Sequence, residues 1–262
     1  MVSTTRLALS PDRSLRGHFH GTSACLSALY RAERYEEIVD ILQVDTIWAY
    51  KRWAVKALAA MGMKSEAIRY AESCRGRWTH DADVDVICEE ILLSSVLVDE
   101  AYRRYGLRAN RRGTYLATFR AVAKKYPERT AREILEDLVE STPGEEGKWF
   151  AAAKDARLHD EAVTLASRSP CDPKTLTRAA RDLADAQPDL AVEIGLLAVH
   201  WLVQGFGYEI TGADVWTAYS STLRPAERRC DVAGARERVK QLVANEPSGG
   251  FVARILGSEL GL

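Results

Sequence analysis

The chain has 262 residues, 47% of them hydrophobic and 28% charged, with a formal net charge of −1 and a pI near 6.5. That length permits one large domain or two small ones with a substantial core. The near-neutral balance excludes a role that rests on overall charge, at nucleic acid or at a membrane surface, and leaves such work to a local patch.

Cys25, Cys74, Cys88, Cys171 and Cys230 are odd in number and form no Cys-x-x-Cys pair, which suits free thiols in a reducing compartment. Val, Ile and Thr nowhere alternate over a strand-length run, so the class is all-α. Met1–Arg16 lacks the apolar run of a signal peptide. Leu190–Phe206 is interrupted by Glu193, His200 and Gln204 and falls short of a membrane span, so it reads as a central buried helix. A cytoplasmic, soluble protein away from membranes is expected, as monomer or homodimer.

In chain order, residues 1–21 show little periodicity and predict a flexible tail or cap. Helical periodicity then predicts helices from Thr22 or Ser23 to Ala32, over Tyr35–Leu42, Thr46–Met61, Ser65–Arg75, Val84–Ser95 and Val98–Asn110. A basic helix beginning near Tyr115 and an acidic one over Ala131–Ser141 follow. Next come Glu146–Ala156, Asp160–Arg168, Lys174–Ala186, Leu190–Gln204, Ala213–Leu223, Ala226–Asn245 and Phe251–Leu260. Pro143, Pro170, Pro173, Pro188, Pro225 and Pro247 fall at the predicted borders, where a missing amide hydrogen does least harm. Most connections are short, so successive helices should pack antiparallel.

Gly62 followed by Glu66-Ala67-Ile68 is similar to the small-residue pattern of the tetratricopeptide repeat, and Glu100-Ala101-Tyr102 repeats it. Ala67 and Ala101 lie 34 residues apart, the period of that repeat, although Val96 stands where a second glycine would align with Gly62. Four further stretches resemble an uncharacterised bacterial family of all-helical proteins. They are Arg108–Pro127 with Arg-Ala-Asn-Arg-Arg-Gly-Thr-Tyr, Thr142–Asp155 with Thr-Pro-Gly-Glu-Glu-Gly-Lys-Trp-Phe, Arg168–Asp182 with Arg-Ser-Pro-Cys-Asp-Pro-Lys-Thr-Leu, and Gly205–Trp216 with Gly-Tyr-Glu-Ile-Thr-Gly-Ala-Asp-Val-Trp. The resemblances imply an irregular α-solenoid of antiparallel helical hairpins and no activity. One helical-repeat domain over 22–262 is expected, with a tetratricopeptide-like half at 22–110 and an irregular half at 111–262 closed by a C-terminal cap.

The candidate binding residues are basic: Arg103, Arg104, Arg108, Arg111, Arg112, Arg120, Lys124 and Lys125, with Arg129 and Arg132 beyond them. Such a run neutralises phosphates in a nucleic-acid binder. The competing expectation is a solvated face paired with the acidic stretch Glu133–Glu146, with Tyr105 and Tyr115 packed rather than stacking on bases. His18, His20 and Cys25 lack a fourth ligand, so no metal is expected. His200 reads as a histidine satisfied by a backbone carbonyl, His80 and His159 as surface residues in turns. Gly144–Lys148 is no phosphate loop, and no nucleophile motif or cofactor fingerprint occurs.

These features favour a non-enzymatic scaffold holding a protein partner on a solenoid surface, with Trp48, Trp53, Trp149 and Tyr208 as possible anchors. A nucleic-acid binder using Arg103–Arg132 stands second. An enzyme resembling the helical-repeat alkyl-purine glycosylases stands third, its pocket drawn from Trp149 and Asp155 or from Trp216 and Asp214.

Overall fold

A computed structural model describes residues 1–10, 19–43, 47–76, 79–246 and 250–262. The chain is all-α and 73% helical. Among the described residues there is no strand, only an isolated bridge between Gly76 and Thr79. The chain divides into two compact units, Met1–Arg111 and Arg112–Leu262.

The first unit begins with α1 (Val2–Ala8). Residues 1–10 are therefore not loose: Thr5 and Leu9 are buried, and α1 packs on α2 (Thr22–Arg31). Residues 11–18, including His18, lie outside the described residues. Then follow α3 (Tyr35–Ile41), α4 (Trp48–Ala60), α5 (Lys64–Ser73) and α6 (Asp81–Leu93). Each packs on its sequence neighbour, as a helical repeat requires, and α2 also packs on α4. Their shared core holds Leu26, Leu29, Ile38, Leu42, Ala54 and Ala57.

The last helix of this unit is expected as plain α over Val98–Asn110 and is not. It runs as α7 (Val98–Ala101), a π-helical turn Tyr102–Gly106, then α8 (Leu107–Ala109), all against α6. The wider turn buries Tyr102, Tyr105 and Gly106 together and leaves Arg103, Arg104 and Arg108 outside. Asn110 closes it, donating to the Gly106 carbonyl at 2.7 Å and to the buried Glu89 carboxylate at 2.6 Å.

One turn closes hairpin after hairpin. In the first unit Arg34 donates its amide to Leu29 O, Met63 to Leu58 O and Leu97 to Leu92 O. In the second, Leu158 does so to Ala153 O, Phe206 to Trp201 O and Asp231 to Ala226 O. Between donor and helix sits a residue with positive φ: Glu33, Gly62, Val96, Arg157, Gly205 or Cys230. This is the Schellman closure, which satisfies the last helical carbonyls. Val96, at φ 61°, thus takes the same backbone shape as Gly62 at φ 82°. Ala67 and Ala101, one period apart, are both fully buried.

The second unit comprises α9 (Tyr115–Lys125), α10 (Ala131–Glu140), a 3₁₀ turn Glu146–Trp149 leading into α11 (Phe150–Asp155), then α12 (His159–Arg168), α13 (Pro173–Leu183), α14 (Pro188–Val203), α15 (Gly212–Arg228), α16 (Val232–Ala244) and α17 (Phe251–Leu260). Thr130 and Thr211 each form a capping box, with Glu133 and Asp214, and Asp172 caps a helix that opens on Pro173. The most apolar helix, α14, is the centre: it packs on α12, α13, α15, α16 and α17. A Cβ on Gly195 would lie 2.5 Å from Thr222 Oγ1, so glycine sets how closely α14 and α15 approach.

The expected break at Pro225 is absent. Pro225 lies inside α15, where it and Ala226 are buried, and the helix ends three residues later at Arg228. A proline there forfeits one amide near the end of the helix, a loss that burial offsets. Pro247 lies outside the described residues.

Candidate functional site

In the first unit, α2, α4 and α6 line one open groove of ≈ 630 Å³. These are the leading helices of three successive hairpins. Tyr30 and Arg31 come from α2, Trp53 and Lys56 from α4, Ile87, Glu90 and Ile91 from α6. The aromatic wall is ordered: the Tyr30 and Trp53 rings are 5.8 Å apart, Tyr35 meets Tyr30 edge-on at 5.2 Å, and the Lys56 ammonium lies 5.5 Å from the Trp53 ring. Arg31, Lys56 and Glu90 are exposed, so a ligand meets an aromatic and aliphatic floor with charged rims.

The basic run divides at the unit boundary. In the first unit Arg108 grips the buried Asp85 with two hydrogen bonds, at 2.9 and 3.0 Å, and Arg75 reaches the same carboxylate at 2.5 Å. Arg104 bridges Glu72 and Glu100, at 3.0 and 2.9 Å, and the buried Tyr105 hydroxyl donates to Glu72 at 2.6 Å. That tyrosine bond, with Arg104, holds the Glu72 carboxyl below its ordinary range. Burial would raise Asp85, yet Arg108 and Arg75 outweigh it and hold it low. Burial pushes the Cys88 thiol beneath this network up to about 11.

In the second unit Arg120 pairs with Asp155 and Arg132 with Glu161. The partners of Arg108, Arg120 and Arg132 are therefore carboxylates distant in sequence, and Arg104 joins distant Glu72 to Glu100 one turn away, so none of the four pairs with the expected Glu133–Glu146. Within that stretch Glu133 caps its own helix, and Glu145 accepts from the Tyr115 hydroxyl at 2.5 Å and from Lys148. Arg103, Arg111, Arg112 and Lys124 are exposed and Lys125 is half-buried.

Of the possible anchors, Trp149 is buried, its indole donating to Thr142 Oγ1 at 2.8 Å, Trp48 and Trp53 are half-buried, and Tyr208 is 80% exposed. Trp149 also meets Tyr115 edge-on at 4.7 Å. Asp214 is taken up by the Thr211 cap. His200 corrects the expectation of a carbonyl partner: among the described residues its ring has only an edge contact with Trp201, at 4.8 Å, and burial lowers its pKa. His159, expected in a turn, opens α12 and pairs with the Gln187 side chain at 2.6 Å. Among the described residues no three His, Cys, Asp or Glu side chains are placed to hold a metal, and no helix is long and apolar enough to cross a membrane.

Sequence reasoning missed Tyr30 in the groove and the carboxylates Glu72, Asp85 and Glu89. Asp85 and Glu89 stand four apart and in step with the apolar Val84, Cys88 and Ile91, Leu92 stripe, unlike the exposed Asp81, Asp83 and Glu90 of the same helix, and that register is the one signal that they face inward together. No family model, curated protein or solved structure matches the chain.

Proposed function

We propose that the first unit is a helical-repeat interaction module that receives a segment of a partner protein in the groove of α2, α4 and α6. The observation that carries this reading is that the leading helices of three successive hairpins line one open groove of ≈ 630 Å³ with an aromatic floor and charged rims. Stacked hairpins bind partners on surfaces of this kind, where aromatic side chains supply area at low entropic cost and rim charges supply register. Support also comes from the arginines: the guanidinium groups of Arg104 and Arg108 are already held by Glu72, Glu100 and Asp85, which weakens the nucleic-acid alternative.

The test is affinity capture of the full chain from its native extract, with and without nuclease, alongside Trp53→Ala and a Lys56→Glu, Arg31→Glu double variant. A protein that survives nuclease and is lost from both variants is expected, with melting of the double variant unchanged because both its positions are exposed. Capture that depends on nucleic acid, or that ignores the groove variants, would overturn the reading.

A further inference from the structure

A second surface stands out in the other unit, independent of that groove. On α13, Lys174, Arg178 and Arg181 recur at i, i+4 and i+7 and so share one helical face. They wall a cleft of ≈ 220 Å³ together with Pro173, Thr177, Leu202, Ile210, Asp214 and Thr217. The one acid in this lining is spoken for, since Asp214 accepts from the Thr211 amide at 2.8 Å and its hydroxyl at 2.7 Å and lies 3.6 Å from Lys174. Arg178 is exposed and has no ion-pair partner among the described residues, and Arg181 meets only its neighbour Asp182, at 3.1 Å.

The segment that borders this cleft is held in an uncommon shape. Gly205, Gly207 and Glu209 all have positive φ, at 77°, 116° and 46°. At Gly207 the backbone itself, at φ 116°, demands glycine, and a Cβ there would also push the Ile210 side chain aside, 2.6 Å from its Cδ1. Lys174 Nζ donates to Glu209 O at 3.1 Å and ties the segment to α13. The outcome is that Tyr208, 80% exposed, faces solvent next to Glu209, which Lys174 holds, whereas Phe206, 42% exposed, packs edge-on against Trp201 at 5.2 Å. A large ring left outside by a constrained backbone marks a contact surface rather than a packing accident.

We propose that this cleft and the exposed Tyr208 beside it form a docking site for a short acidic peptide segment that carries an apolar side chain. Its carboxylates would lie along Lys174, Arg178 and Arg181, and its apolar residue against Tyr208. Arg178, exposed and without an ion-pair partner among the described residues, supplies the charge complementarity, flanked by Lys174 and Arg181, whose acids Asp214 and Asp182 are each already engaged. From Lys174 to Arg181 the stripe rises seven residue steps, about 10 Å, too short for the several phosphate contacts that tight nucleic-acid binding takes.

The test selects random short peptides displayed against the full chain at physiological salt, then measures one enriched peptide on variants. Enrichment of Asp and Glu with an aromatic or aliphatic residue is expected. Arg178→Glu and Tyr208→Ser should each weaken that peptide at least about tenfold, while Trp53→Ala leaves it unchanged, which separates this site from the groove of the first unit. Arg178 and Tyr208 are exposed, so both variants should melt as wild type does. The proposal is overturned by no enrichment, by peptides without acidic bias, by affinity indifferent to Arg178→Glu, or by displacement with a single-stranded oligonucleotide.

Discussion

Val96 is the residue whose backbone and side chain most disagree. It is β-branched, it is 84% exposed, and it sits at φ 61°. Left-handed backbone costs an L-residue about 1–2 kcal/mol, and a β-branched one most. Val96→Gly is therefore expected to stabilise the chain by about 1 kcal/mol, and Gly62→Val to destabilise it by at least as much, both read from denaturant midpoints. Nothing lies within 4 Å of a Cβ built at Gly62, so that penalty belongs to the backbone alone. Asp85 offers a second test at this scale. Its pKa and that of Glu72 are depressed, so their stabilisation is complete above the ordinary values of 3.8 and 4.5 and is lost as pH falls through the folded ones. Asp85→Asn should cost about 1–3 kcal/mol at neutral pH, the worth of hydrogen bonds to a charged group, and should flatten the acid limb of stability against pH. An acid limb unchanged in the variant would contradict this. Glycine announced the turn at Gly62 in the sequence. The same turn at Glu33, Val96, Arg157 and Cys230 was not legible, because the hairpin closure imposes the backbone on whatever residue stands there.

Among the elements, most helix borders follow from periodicity and punctuation, because a buried stripe and a cap act locally. The exceptions are elements that long-range contacts shape. The π turn at Tyr102–Gly106 depends on Glu89 and Glu72 of earlier helices, which no local pattern near Tyr102 reveals. α15 runs through Pro225 because burial there outweighs one lost hydrogen bond. α1 is short and weakly patterned, and tertiary contacts order it, its packing on α2 and the pairing of Arg6 with Glu37 and Asp40 of α3. The 34-residue interval gives a prediction at this scale. Ala67 and Ala101 are each 0% exposed, so Ala67→Leu and Ala101→Leu should each destabilise by about 1–3 kcal/mol through overpacking. Melting temperatures equal to wild type would make the interval an accident. Thiol labelling adds a check on burial: Cys230 is exposed and should react at once, whereas Cys25, Cys74, Cys88 and Cys171 are buried and should wait for unfolding.

For the molecule as a whole, the all-helical class was legible from composition and period alone, and the candidate site only in part. The basic run stood out in the sequence as one object. In the structure the boundary after Arg111 divides it, and Glu72, Asp85, Asp155 and Glu161 engage four of its arginines. Linear charge counting cannot find such partners, since they arrive from other helices of the same unit. The groove was invisible for a related reason: Tyr30, Trp53 and Ile87 share no local pattern and converge only when hairpins stack. Entry of a partner segment into this groove is open to site-specific photo-crosslinking. A photoreactive residue is placed at Lys56 in the groove or at Lys124 in the basic run, both exposed, and irradiated in native extract. A discrete protein adduct from position 56, resistant to nuclease and absent when Trp53 is changed to alanine, is expected. Adducts from position 124 with nucleic acid, and none from position 56, would contradict that entry.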